Sequence, residues 1–121
     1  MMRCKCELFG DLSSAAAVMG TSSPGQMQAI GRHASGFDAK VWDASKRRIV
    51  YEAALAKFSQ DEALRARLVG TGSALLAECA AADRVWGIGM HVGDPGWDDP
   101  ACWRGQNLLG YTLMAVRAVV G

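Results

Sequence analysis

Apolar and polar positions along the chain follow helical spacing in several stretches and lose any period in others. Residues 1 to about 9 read as a short helix that stops at Gly10, and Asp11 or Ser13 can cap an alanine-rich second piece running through Met19. Gly20 to Gly25 is a turn cluster in which Ser23 is placed to cap a third helix, with Pro24 at its first position, running to about His33. Ala34 to Val41 has no clear period and reads as a loop that delivers Trp42 next to Asp43, the expected cap of the next helix. That helix, Ala44 to about Phe58, sets Ile49, Ala53 and Ala56 on one stripe with Val50, Ala54 and Phe58 beside it, the spacing of a core-facing helix. Ser59 with Glu62 three positions on is a capping-box signal for a helix carrying Leu64 and Leu68 and ending at Gly70 or Gly72.

Ser73 to Ala82 is apolar without a decisive period and reads equally as a helix or a short strand. Asp83 to Gly105 is rich in Gly, Pro, Trp and Asp, too irregular for a long element, and reads as a long functional loop. A last helix starts near Gln106, with Leu109, Leu113, Val116 and Val120 on one face and Arg117 near its carbonyl end. The pattern predicts a mainly α domain with little strand content.

Composition narrows the class. A chain of 121 residues, half of them hydrophobic, buries about two-thirds of its unfolded surface as one domain, 1–121, without structural disulfides or metal. A net charge of +1 supplies no global field for nucleic acid, an anionic membrane or an acidic partner. Arg3 and Lys5 are followed by Glu7, Gly10 and Asp11, so a secretory leader is not expected; Ala74 to Ala82 is short and carries Glu78, so no transmembrane helix and no membrane partner are expected, and the expected location is cytoplasmic. The four cysteines form no CxxC pair, and Cys4 and Cys6 with His33 or His91 lack metal-ligand spacing. Neither a metal nor a cofactor is expected.

Candidate chemistry concentrates in the loop. Trp86, Trp97 and Trp103 are interleaved there with Asp83, Asp94, Asp98, Asp99 and several glycines. Indole faces stack on planar rings, glycines let backbone approach a ligand, and a carboxylate beside them can stabilise an oxocarbenium ion or position water. A nucleotide or nucleoside site competes with a set of buried structural tryptophans. Arg32 fits either a phosphate clamp or a charge favoured by the helix dipole, and Lys5 on its own is an ordinary helix lysine. No GxSxG, HExxH, GxGxxG or P-loop pattern is present.

Five blocks nevertheless stand in a known order. Lys5 to Asp11 (KCELFGD) looks like the end of the K-A-x-x-F-G-D segment of the NADAR (YbiA-like) family. Ser23 to Trp42 resembles its S-P-x-x-x-K-x-x-G-R block followed by F-x-x-x-W, and Lys57 to Gly72 its K-F-x-Q-N-x-x-L block ending in T-G. Leu76 to Gly89 is similar to L-x-E-x-x-x-x-D-x-x-W-G-x-G, and Trp103 to Arg117 to W-x-G-x-N-x-L-G-x-x-L-M-x-V-R.

The resemblance implies a compact orthogonal helical fold and hydrolysis of the N-glycosidic bond of ribosyl-phosphate or ADP-ribosyl compounds, such as riboflavin-pathway intermediates or ADP-ribosylated guanine in nucleic acid. It implies that Lys5, Trp42, Asp83 and Trp86 are catalytic, with Lys5 forming a Schiff base with the opened ribose and Asp83 handling protons. Arg32, Gly87 and Asn107 lie in matching motifs as phosphate or ribose contacts. The family's Glu-His-Tyr, expected just before the position of Met1, has no counterpart, so the expectation is an N-terminally incomplete domain; a fragment, a start codon assigned too far downstream or a truncated paralogue would each give such a chain. An impaired module that still binds ADP-ribose or a related nucleotide is the alternative function. The oligomeric state is not legible.

Overall fold

A computed structural model describes residues 1–121 as six α-helices and one 3-10 turn, with no strand. The helices are α1 (Met2–Leu8), α2 (Leu12–Met19), α3 (Pro24–Arg32), α4 (Ala39–Gln60), α5 (Glu62–Gly70) and α6 (Leu108–Val120). The mainly α class expected from the pattern is the class observed. No helix is long and apolar enough to cross a membrane. The chain divides into two compact units, Met1–Ile49 and Val50–Gly121, and α4 runs through the boundary.

In the first unit, α1, α2 and α3 pack on one another around Cys6, Ala15, Val18 and Ala34, with Met2, Met27 and Ile30 partly buried against that cluster. Helices of seven to nine residues are marginal alone, so this packing and their caps hold them. Of the two caps expected for α2, Asp11 serves: its Oδ1 accepts the Ser14 N–H at 3.1 Å. Ser23 caps α3 through the Gln26 N–H, with Pro24 at the first position where its missing N–H is harmless. Burial pushes the Cys6 thiol up, and the neighbouring Asp11 charge adds to this, so Cys6 behaves as a small apolar core residue.

Two helix starts differ from the sequence expectation. The loop expected through Val41 ends earlier, because Asp38 rather than Asp43 caps α4: Asp38 Oδ1 accepts the N–H groups of Lys40 (2.8 Å) and Val41 (3.3 Å). Trp42 therefore sits in the first turn of α4, its N–H on the Asp38 carbonyl, while Asp43 pairs with Lys46 at 2.9 Å. Asp61, not Ser59, caps α5 by accepting the Leu64 N–H at 3.0 Å. The stripe on α4 is buried at Ile49 and Val50 and partly buried at Ala53, Ala54 and Phe58, but Ala56 is exposed.

In the second unit, α5 packs with α6, and the core residues are Val50, Leu68, Ile88, Met90, Leu108 and Val116. On the face expected for α6, Val116 is fully buried and Leu109, Leu113 and Val120 are partly so. Residues 73–82, read as helix or strand, form neither. Long-range bonds shape this segment instead: Arg117 Nη1 donates to Thr71 Oγ1 (2.7 Å) and to the Ala74 carbonyl (2.9 Å), and the Asn107 side chain holds residues 76–78.

Candidate functional site

Lys5 lies on α1 one turn before Phe9, which puts the two side chains on one face. Its Nζ stands 4.9 Å from the centroid of the Phe37 ring and 5.3 Å from that of the Trp42 ring. Phe9 meets Phe37 edge-to-face, centroids 5.2 Å apart. The amine is thus set against two aromatic faces, whose quadrupoles attract an ammonium by about 0.5–1 kcal/mol each at sites open to water. The same faces suit the planar base or apolar sugar face of a nucleotide. Phe37 is 48% exposed, so this wall remains open to a ligand.

Two features deliver Phe37 and Trp42 to Lys5. Asp38 starts α4 so that Trp42 falls in its first turn. Upstream, the second oxygen of Asp11 accepts the Ser35 N–H at 2.9 Å and anchors the start of the loop. Gly36 follows with φ of 72°, and a Cβ there would lie 3.2 Å from the Phe9 carbonyl oxygen, so the left-handed turn requires glycine. Hydrogen bonds from Ser14 first and Ser35 next hold the Asp11 carboxyl at about 2, below its usual value of 3.8.

The second unit brings Asp83, Trp86, Gly87 and Asn107 into one knot. Asp83 Oδ1 accepts the N–H groups of Val85 (2.9 Å) and Trp86 (2.8 Å), closing a tight turn that fixes the backbone of Trp86. The carbonyls of Val85, Trp86 and Gly87 in turn accept the N–H groups of Leu108, Leu109 and Asn107, so this turn caps the amino end of α6. At Gly87 a Cβ would lie 2.8 Å from the Asp83 carbonyl oxygen and 3.0 Å from that of Glu78; the close approach excludes any side chain.

Asn107 is fully buried in the left-handed conformation (φ 51°, ψ 39°), which asparagine tolerates better than most residues. Its Oδ1 accepts the Glu78 N–H at 3.0 Å and its Nδ2 donates to the Leu76 carbonyl at 2.8 Å. Here it fastens two chain segments rather than presenting a free amide. Trp103 is similarly engaged, its indole N–H on the Trp97 carbonyl at 2.8 Å. Arg32 is exposed in the last turn of α3, where its charge suits the helix's carbonyl end.

Lys5 and Trp42 are therefore neighbours in the first unit, and Asp83, Trp86, Gly87 and Asn107 are neighbours in the second. Phe9 and Phe37 carry no signal in the hydrophobic pattern because neither lies on a periodic face; their signals are the KCELFGD block for Phe9 and, for Phe37, its place five positions before Trp42. A groove of about 710 Å³ in the first unit is lined by Met1, Met2, Met19 and Met27 together with smaller and polar residues such as Val18 and Thr21, and by none of the candidate site residues.

Comparison with known proteins places these residues in a lineage. Residues 1–120 match the NADAR domain. The chain is 36% identical over 117 residues to N-glycosidase R617 of Acanthamoeba polyphaga mimivirus, covering 97% of this chain and 69% of that protein. It is 36% identical over 115 residues to protein irg-1 of Caenorhabditis elegans, covering 93% of this chain and 54% of the relative. Over 96 residues it is 36% identical to N-glycosidase YbiA of Escherichia coli (strain K12), covering 79% of this chain and 53% of the relative. The chain thus spans between about half and two-thirds of the length of these curated relatives.

Proposed function

Because the chain belongs to the NADAR domain family, whose relatives from mimivirus and E. coli are named N-glycosidases, we propose that it hydrolyses the N-glycosidic bond of a ribosyl-phosphate or ADP-ribosyl compound. The observation that carries the reading is the placement of the Lys5 amine against the rings of Phe37 and Trp42. That placement suits a nucleophile that must meet a sugar carbon while a ring system is held beside it.

In the proposed reaction the Lys5 amine attacks ribose C1. The C1–N bond to the base or amine breaks, and the leaving nitrogen takes a proton, a transfer that the family resemblance assigns to Asp83. Opening of the sugar ring turns the lysine adduct into a protonated Schiff base, with the ring oxygen becoming a hydroxyl. Water then adds to C1 and gives up a proton that restores the donor, the C1–Nζ bond breaks, and the ribose phosphate or ADP-ribose leaves with the lysine amine restored. The net change is one water consumed per bond cleaved. Trp42 and Trp86 supply stacking faces, and Arg32 is the candidate phosphate contact; Gly87 and Asn107 support the reading by holding the Asp83–Trp86 turn in shape.

Turnover of a panel of N-ribosides, from ribosylaminopyrimidine phosphates to ADP-ribosylated guanine, tests the proposal. Wild-type chain should release reducing sugar from at least one, and Lys5→Arg, which keeps the charge but not the nucleophile, should lose about three orders of magnitude or more. Equal turnover by Lys5→Arg would remove the lysine from the chemistry. Saturable ADP-ribose binding without any release of sugar would favour a binding module.

A further inference from the structure

Asp11 carries more bonds than a helix cap requires. Its Oδ1 alone satisfies the cap of α2 through the Ser14 N–H, and its backbone N–H closes the end of α1 on the Cys6 carbonyl at 2.9 Å. The remaining oxygen, Oδ2, reaches 24 residues along the chain to the Ser35 N–H at 2.9 Å. Two residues later Phe37 lies with its ring against Phe9 and over Lys5. Between them Gly36 takes the left-handed turn under the Phe9 carbonyl. One carboxylate therefore ties together the end of α1, the start of α2 and the loop that supplies an aromatic face to the Lys5 amine.

We propose that Asp11 is a positioning residue for Lys5, holding the 35–37 loop so that Phe37 closes the aromatic wall over the amine. Its functional consequence rests on the reading of Lys5 as the nucleophile; its structural content does not. A free loop would let Phe37 swing into solvent and leave Lys5 with Trp42 alone. An asparagine at position 11 retains one acceptor oxygen, so it can hold Ser14 or Ser35 but not both.

The proton and carbon resonances of the Lys5 ε-methylene, recorded on the full chain, read the wall directly through aromatic ring currents. In the wild type they should lie upfield of those of the exposed Lys40. Asp11→Asn should lose most of that displacement, and so should Gly36→Ala, which strains the loop while leaving the Asp11–Ser14 cap intact. Retention of the upfield shift in both variants, with helical circular dichroism unchanged, overturns the proposal. Should Asp11→Asn fail to fold, Gly36→Ala decides alone: loss supports it and retention overturns it.

Borohydride reduction in the presence of ribose 5-phosphate separates this inference from the functional reading. No adduct at wild-type Lys5 removes the nucleophile and leaves the positioning to the resonances. An adduct that forms as fast in Asp11→Asn as in the wild type keeps the nucleophile and removes the positioning role. An adduct slowed tenfold or more in Asp11→Asn, with Lys40 reacting at its wild-type rate, supports both.

Discussion

The Nζ of Lys5 stands 5.3 Å from the centre of the Trp42 ring, joining the middle of α1 to the first turn of α4 within the Met1–Ile49 unit. Neither residue is unusual for its helix when taken alone. Their meeting depends on Asp38 starting α4 where it does and on the loop that precedes it.

The edge-to-face pair of Phe9 and Phe37 should be worth about 0.5–1.5 kcal/mol beyond the area it buries. A double-mutant cycle of Phe9→Leu and Phe37→Leu, read by urea unfolding, should return a coupling energy in that range. Strictly additive losses would mean that the rings do not meet in solution.

Acid sensitivity follows from Asp11. Its folded value of about 2 lies below the usual 3.8 because hydrogen bonds from Ser14 and Ser35 favour the carboxylate. The stabilisation is therefore fully present above about pH 4, declines as the pH falls toward 2, and is absent below. The gap in Tm between wild type and Asp11→Ala should be largest near neutral pH and close between pH 4 and pH 2. A gap that widens on acidification would contradict this sign.

Asn107→Ala should destabilise the chain by about 2–4 kcal/mol. It leaves the Glu78 N–H and Leu76 carbonyl without their partner and places alanine in a left-handed conformation. Denaturant titration followed by circular dichroism measures it, and a loss below about 0.5 kcal/mol would show that the amide is dispensable.

Asp83 combines a structural and a proposed chemical role, which two substitutions separate. Asn keeps an oxygen to accept the Val85 and Trp86 N–H groups, whereas Ala keeps none. Asp83→Asn should retain near wild-type stability yet lose about 10²–10⁴-fold in turnover, the usual share of a proton-transferring group. Asp83→Ala should lose both. Full turnover by the Asn variant would leave Asp83 with the turn alone.

What the sequence made legible was local. Ser23 with Pro24 marked the start of α3 because capping and a fixed proline φ act within one turn, and the period of α6 revealed Val116 because a helix repeats its face. Asp43 and Ser59 carry cap signals in the sequence, but Asp38 and Asp61, close by, are equally competent and only the folded chain chooses between them. Residues 73–82 resisted assignment because their partners are Asn107 and Arg117, far along the chain. The wall around Lys5 had no periodic signal at all. The motif order points to Lys5 and Trp42 and includes Phe37, while the contact of Phe37 with Lys5 and the second oxygen of Asp11 become visible only in three dimensions.

The central claim is that the amine of Lys5 bonds to the sugar. Sodium borohydride added to the wild-type chain with ADP-ribose, followed by peptide mass spectrometry, tests it most directly, because hydride converts the imine into a stable secondary amine. An ADP-ribosyl adduct on the peptide carrying Lys5, with Lys40, Lys46 and Lys57 unmodified, is the predicted result. Adducts spread evenly over the four lysines, or absent from Lys5, would contradict it.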